Sequence, residues 1–474
     1  VLETFKGFCI LQVEREELKE KSLGKWIIES KNTTVPSPQP DPKGRDRADV
    51  GRQLATSLAA PGEVPSGLGW TMALGPRRKT MSEFVLTPAE SSIQGGLLRQ
   101  SCHIRRMGEG SKGATLWWEG PADLAPLESG DAEPYLIAML HVAMSEGRDL
   151  RVVGKVGRRL LANLEEFVLA WNRWSPGVYR SIRIIPEQVV EEAPTTWSPK
   201  AITAFSGGVD ASFTVWRHHT GRAGFASRSI VACAMVHGFD IPLDQEEKFR
   251  KSFELGKETL DGLGIELIAL RSNIREEFPL EWNDHHGAAL VGAMHLLKSK
   301  ARTLLIGSSD PYDQLILPYG SNPLTDPLLS SGSLEVVHDG SGFDRTGKVA
   351  LIADWQLGIR NLRVCWKGTQ VGANCGHCEK CLRTHLNFLV NGLVPPSSLA
   401  SSTGDLDFQL LDSESESVIQ EFVQILEAAK ANGRTGPWIE QLEKRLIWLR
   451  RRNSFRSNIR SAKNVVRSLI GRSN

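Results

Sequence analysis

Between Ala201 and Pro395 short apolar runs alternate with longer amphipathic stretches, a rhythm that few folds satisfy. The runs Ala201–Phe205, Ile230–Val236, Glu266–Leu270 and Thr303–Ile306 each have the length of a buried strand. The stretches between them, Ala211–His219, Asp244–Leu263 and His285–Leu297, repeat apolar residues at helical spacing. Strands separated by helices need crossover connections, so the expected fold is α/β, a doubly wound and mostly parallel sheet. Open sheets of this kind bind ligands beyond the carboxyl ends of the strands, where the strand order reverses. The first run ends in Ser206-Gly207-Gly208-Val209-Asp210, which places that turn at such an end.

The turn has the chemistry of an anion cradle. Gly207 and Gly208 permit positive φ and put no side chain in the way, so successive amides, Val209 among them, can converge on phosphate oxygens at the start of the next helix. Ser206 and Ser212 add hydroxyl donors. Asp210 repels phosphate unless it caps the helix or shares a Mg²⁺ ion with the pyrophosphate. An ordinary Gly-Gly turn before a helix has the same letters, and its place after the first strand of a βαβ pattern favours the nucleotide reading.

Seven cysteines occur in 474 residues, and four of them, Cys365, Cys375, Cys378 and Cys381, fall within one short segment. That is an odd disulfide scaffold for so long a chain, but it suits thiolate ligands in a reducing compartment. Four thiolates favour a closed, structural Zn²⁺ site. A redox pair or an iron–sulfur cluster is the alternative, and His377 inside the knuckle can replace one thiolate or face solvent. No run of eighteen apolar residues occurs, and the first segment carries Glu3, Glu14, Glu16 and Glu17 instead of a basic stretch leading into an apolar one. The expected location is the cytoplasm, with no transmembrane segment. The chain begins with Val1, as a trimmed or alternatively started product would. A net charge of +2, with 24% charged and 41% hydrophobic residues, describes a globular protein and argues against binding nucleic acid over the whole surface.

The turn resembles the SGGxDS signature of the PP-loop ATP pyrophosphatases, and Ala211 stands where that family usually has serine. The cysteine spacing C-x9-C-x2-C-x2-C after such a domain is similar to that of QueC-like 7-cyano-7-deazaguanine synthases, a likeness that covers roughly residues 200 to 390. The resemblance implies a sheet-based ATP domain buttressed by a zinc knuckle. It also implies an ATP-dependent carbon–nitrogen ligase that uses ATP and Mg²⁺ to adenylate the carboxylate of 7-carboxy-7-deazaguanine for attack by a nitrogen nucleophile. Ammonia would give an amide and then a nitrile, as in queuosine biosynthesis; an amine on an acceptor protein would give a conjugate, as in phage-defence relatives. Adenylation of a different carboxylate and a catalytically weak nucleotide-binding scaffold are the competing readings.

Other stretches are candidates for the same pocket. Gly307 and Ser308 end the fourth run in small polar groups suited to ribose or α-phosphate contact, or to a plain turn. Asn322, Thr325 and Asp326 lie in a polar loop held by Pro323 and Pro327, either as substrate contacts or as turn-formers bonding their own backbone. Arg383, two residues past the last cysteine, is placed for aiming at a phosphate or carboxylate and joins Ser206 and Asp210 as the expected catalytic set. Lys367 is a weaker candidate of that type. His285 and His286 open a helix at the same sheet end, as a nucleotide contact, a cap or solvent-facing groups.

The flanks divide the chain further. Residues 1–80 form an N-terminal segment with a Pro-rich stretch over Lys31–Pro61 that reads as a mobile linker. Residues 81–195 read as a small α+β domain, with strands at Phe84–Leu86, Thr115–Trp118 and Leu150–Val153 and helices at Pro134–Met144 and Arg158–Trp171. Gly108, Gly110 and Gly113 supply turn material between its strands. Residues 196–395 make the ATP-binding domain, and residues 396–474 a helical C-terminal region with helices at Val418–Leu426 and Trp438–Leu449. The N-terminal domain offers a surface for a protein partner or protein acceptor. Residues 441–474 hold ten Lys or Arg against one acid, which suits nucleic acid, an acidic partner or a membrane surface, or simply a solvated face.

Overall fold

Ten strands follow one another across a single sheet, and the amino-terminal part of the chain supplies half of them. The computed structural model describes residues 82–108, 113–192, 197–365, 374–399 and 406–470, side chains excepted at 417 and from 457 onward, all within the unit Arg78–Asn474. The N-terminal segment with its Pro-rich stretch, Gly110, Trp366 and Lys367 lie outside the described residues.

The first part runs β1 (Glu83–Pro88), β2 (Ser92–Gln94), β3 (Leu97–Arg106), β4 (Gly113–Pro121), α1 (Glu133–Glu146), β5 (Asp149–Gly157), α2 (Arg158–Trp174) and β6 (Ile184–Val190). The second runs β7 (Lys200–Ala204), α3 (Val209–His219), β8 (Ser229–His237), α4 (Glu246–Asp261), β9 (Glu266–Ser272), α5 (Ile274–Glu277), α6 (Trp282–Met294), β10 (Thr303–Gly307), β11 (Glu335–Asp339), α7 (Arg345–Ile352) and α8 (Gln356–Arg360). Three further helices follow: α9 (Glu379–Val390), α10 (Glu416–Ala431) and α11 (Pro437–Ile470).

The strand order is β11-β10-β7-β8-β9-β4-β3-β1-β5-β6, with β2 attached to β3. From β11 to β9 every pairing is parallel, so the expected α/β parallel sheet is present, and its order reverses between β7 and β10. Strand β8 reads Ser-Ile-Val-Ala-Cys-Ala-Met-Val-His and is buried along most of its length, as a strand covered on both faces should be. The sheet then crosses the boundary expected near residue 195. Strand β9 pairs antiparallel with β4 at Trp118↔Ser272 and Glu119↔Arg271. Beyond that pair the Asn273 side chain carries on the ladder, accepting from the Trp117 amide at 2.9 Å and donating to the Thr115 carbonyl at 2.8 Å. The strands before residue 195 and the parallel strands β7 to β11 therefore share one sheet.

Helix α1 explains why the two halves adhere. Its residues Glu133 to Met144 are all buried, which fits a helix that is apolar on every side and covered on every side. Burying each of Leu136, Ile137 and Leu140 is worth about 1.5–3 kcal/mol. Helix α6 packs against it through small residues: a Cβ on Gly292 would stand 2.8 Å from the Pro134 carbonyl oxygen, closer than real contacts allow. Trp118 of β4 is buried and stacks on Tyr135 of α1 at 4.8 Å. Cys102 of β3 and Cys233 of β8 are sealed in the cores on this sheet.

Strand β3 was not anticipated because its row of Arg99, Ser101, His103 and Arg105 hides the alternate row Leu98, Cys102 and Ile104 that it turns inward. It pairs antiparallel with β4, from Leu97↔Pro121 to Arg105↔Gly113. At the other end, α9, α10 and α11 pack around Leu386, Phe422 and Leu446 as a helical layer, and α11 continues well past the expected end at Leu449.

Candidate functional site

At the point where the strand order reverses, β7 hands over to α3 through Ser206-Gly207-Gly208. Gly207 has φ +76°, a conformation that side chains disfavour, and this bends the chain so that α3 starts immediately. Gly208 is the N-cap with no side-chain cap bond. Arg363 secures the outside of the turn: its amide donates to the Gly207 carbonyl at 2.8 Å and its Nη2 to the Ser206 carbonyl at 3.2 Å. The Gly208 amide makes a long 3.4 Å contact with Ser206 Oγ. Among the described residues no protein acceptor meets the amides of Val209 and Asp210, so the positive end of α3 is open.

These amides border a cleft of about 670 Å³. Ser206, Gly208, Val209, Asp210 and Arg383 line it together, and Cys365 forms part of its wall. The floor is a charge network. Asp210 Oδ1 lies 3.1 Å from Lys348 Nζ, and Oδ2 lies 3.2 Å from Arg345 Nη2. Lys348 is fully buried and also donates to Ser308, at 2.5 Å to its carbonyl and 2.9 Å to its hydroxyl. Arg345 Nε approaches Glu421 of α10 at 3.2 Å, and Arg383 pairs with Glu421 and, at 3.1 Å, with Glu379.

Burial pushes the Asp210 carboxyl up, but the charges of Arg345 and Lys348 outweigh it and hold the group below its ordinary range. Asp310, on the same cleft, is raised by burial. Burial works against the Arg345 charge, yet Asp210, Glu421 and Asp310 together leave that guanidinium more firmly protonated than usual. The Nε atoms of Arg345, Arg363 and Arg383 are buried without a hydrogen-bonded acceptor. Three guanidinium groups with buried Nε atoms, beside an open helix terminus, can take a multiply charged anion once the carboxylates paired with Arg345 and Arg383 give way.

A Mg²⁺ ion fits this floor less well. Both Asp210 oxygens already face cations, so in this arrangement the residue offers no free carboxylate to a metal.

The four cysteines converge. Their Sγ atoms lie within 4.8 Å of one another, with separations of 3.3 Å (Cys365–Cys375), 3.5 Å (Cys365–Cys378), 3.6 Å (Cys378–Cys381) and 3.9 Å (Cys375–Cys381). A tetrahedron with metal–sulfur bonds near 2.3 Å has edges of about 3.8 Å, so this cluster can hold a metal such as zinc. Cys378 is the N-cap of α9 and Cys381 lies in its first turn, two residues before Arg383. Hydrogen bonding from Cys381 pushes the Cys378 thiol down to about 4, while burial pushes Cys375 up to about 11. The Asn374 side chain braces the knuckle, accepting from the Val364 amide at 2.8 Å.

Other expected residues lie elsewhere. Ser212, in the first turn of α3, is buried, and Ser308 is occupied by Lys348. Gly307 lets β10 approach α3, since a Cβ there would stand 2.9 Å from the Asp210 carbonyl oxygen. Asn322, Thr325 and Asp326 do not reach the cleft: all three are buried and satisfy their own loop. Asn322 Nδ2 donates to Thr325 Oγ1 at 2.8 Å, and Asp326 Oδ2 accepts from Ser321 at 2.7 Å and contacts His338 at 2.7 Å. The turn-forming alternative describes them, whereas Tyr319 of the same loop does line the cleft. His285 turns into the core to meet the Ala138 carbonyl at 2.8 Å, and His286 bonds back to Trp282. The sequence reading missed Arg345, Lys348, Arg363 and Glu421. The one local signal was Asp344, a side-chain N-cap for α7, which puts Arg345 and Lys348 one turn apart on the same face.

Fold and site together define an α/β protein with a large, mostly parallel mixed sheet, a cleft at the reversal of strand order and a cysteine cluster able to bind metal. No protein-family model, no curated protein and no solved structure matches the chain. No described helix is long and apolar enough to cross a membrane.

Proposed function

We propose that the chain is an ATP-dependent carbon–nitrogen ligase that adenylates the carboxylate of a 7-carboxy-7-deazaguanine-type acid. The carboxylate oxygen attacks the α-phosphorus, the bond to the β-phosphate breaks, and pyrophosphate leaves. A nitrogen nucleophile, ammonia or an amine on an acceptor protein, then attacks the acyl carbon and releases AMP. The observation that carries this reading is the open start of α3 facing a cleft that also holds the guanidinium groups of Arg345, Arg363 and Arg383, whose Nε atoms have no aligned hydrogen-bond acceptor among the described residues. In this reading the amides of Val209 and Asp210 with Arg345 and Arg383 take the charge that develops on the leaving pyrophosphate. Lys348 holds Asp210 in place, and Tyr319 offers a ring face to a flat heterocycle. Zinc in the cysteine cluster would fix the start of α9 and with it Arg383. The chain beyond the cleft, at both ends, would serve the acceptor or partner, which in a phage-defence setting is a protein.

The test is incubation of the full chain with ATP, 7-carboxy-7-deazaguanine and ammonium, reading pyrophosphate release and product mass. Amide or nitrile with AMP is expected; intact ATP with every deazapurine acid overturns the reading. A second reading, a nucleotide-binding scaffold with little turnover, is favoured by the double ion pairing of Asp210, and tight ATP binding without cleavage would support it.

A further inference from the structure

Helix α10 lies in the C-terminal layer, yet it reaches into the proposed phosphate site. Glu421 places one oxygen against Arg383 and the other 3.2 Å from Arg345 Nε. Those two guanidinium groups lie on different helices, α9 and α7, and Glu421 is the acid they share. The second contact is close but poorly aligned, for both Arg345 Nε and Glu421 Oε2 are buried without a hydrogen-bonded partner. Around the same floor stand Asp210, which faces Arg345 and Lys348, and Asp310 and Glu379, which line the cleft, with Lys380 and Arg363 among the further cations; Asp240, Glu281 and Asp284 line the cleft as well. An arriving phosphate would thus meet arginines already engaged by a carboxylate and would lie beside that carboxylate. Like charges so placed exclude each other unless one moves.

We propose that Glu421 is an internal stand-in for the anionic ligand, so that α10 latches onto the site and is released when pyrophosphate or nucleotide phosphate takes over Arg345 and Arg383. The proposal rests on the reading of this cleft as a nucleotide site. The apolar side of α10, Ile419, Phe422 and Ile425, is buried with α9 and α11 in the C-terminal core, so the exchange loosens the tie between that layer and α7 without dismantling the layer. Glu421 is accordingly a positioning residue that sets the cost of anion entry.

The full chain and its Glu421→Gln variant are compared by calorimetric titration with inorganic pyrophosphate and with ATP, and by hydrogen–deuterium exchange of Glu416–Ala431 with and without pyrophosphate. The expected result is pyrophosphate binding about tenfold tighter in Glu421→Gln, since a like charge has gone from the site. In the natural chain, pyrophosphate should speed exchange along α10, and the variant should show that faster exchange before any ligand is added. The exchange experiment on the natural chain stands alone if the variant folds poorly. Pyrophosphate binding that leaves α10 exchange unchanged, or equal or weaker affinity in Glu421→Gln, overturns the latch and leaves the nucleotide reading intact. Absence of binding by both proteins overturns both.

Discussion

Two adjacent glycines in the turn between β7 and α3 have unequal duties. Gly207 sits at φ +76°, whereas Gly208 has φ −77° and ψ 170°, which any residue adopts. A Cβ at Gly207 would make only ordinary contact with Arg363, so its cost is conformational rather than steric. Gly207→Ala should lose roughly 1–2 kcal/mol of stability, while Gly208→Ala loses little. If the amides of α3 take phosphate, Gly207→Ala should also weaken ATP binding about tenfold, a loss of about 1.4 kcal/mol that titration calorimetry would read. Lys348 is a second residue whose role its neighbours dictate. Replacing it with Met leaves Asp210 with Arg345 alone and strips the Ser308 carbonyl of its donor. Urea unfolding should show a loss of about 3 kcal/mol, the low end for breaking a buried pair, because the Asp210 side chain keeps 23% of its exposure. A rise in stability would mean that the charge is carried at a net cost.

Helix α9 joins three features that are distant in purpose. Its cap and first turn carry Cys378 and Cys381, the next turn opens with Arg383, and its apolar side anchors the C-terminal layer through Leu382, Leu386 and Val390. The purified chain should contain one zinc, and Cys378→Ser or Cys381→Ser should lose it and lower the melting temperature, measured by metal analysis and a thermal scan. Full metal content in both variants would mean that the cluster is not the site. The strands and helices of the βαβ half were legible because buried parallel strands write themselves as apolar runs, as β8 does. The glycine turn before α3 and the cysteine cluster were legible because each is a local motif. Strands β3 and β11 were not, since an amphipathic strand such as β3 shows half its letters to solvent. Nor were Lys348 and Glu421: a charge on a helix reads as surface until the fold closes another element over it.

The molecule is held together where its two halves share a sheet, and that joint is lined with imidazoles. His141 and His285 are buried between α1 and α6, and His295 follows directly after α6. Among the described residues no hydrogen-bond partner meets either ring nitrogen of His141 or His295. Burial lowers all three, His285 and His295 to about 4. In the unfolded chain these groups protonate near 6.5, so the folded state has its full stability above that pH and loses it as the pH falls towards 4. The loss should approach about 1.4 kcal/mol per pH unit for each imidazole. Unfolding free energies at pH 7.5, 6 and 5 would read it, and equal values would mean that the rings find water or partners.

The sealing of Cys102 and Cys233 has a practical consequence. Burial drives both thiols far from ionisation, and only a thiolate attacks an alkylating or chromogenic reagent. Apart from Cys9, which precedes the described residues, the sulfurs that such a reagent can meet in the native chain are those of the cluster. Labelling speed at neutral pH thereby becomes a gauge of its occupancy: slow while a metal shields the quartet, fast after chelation.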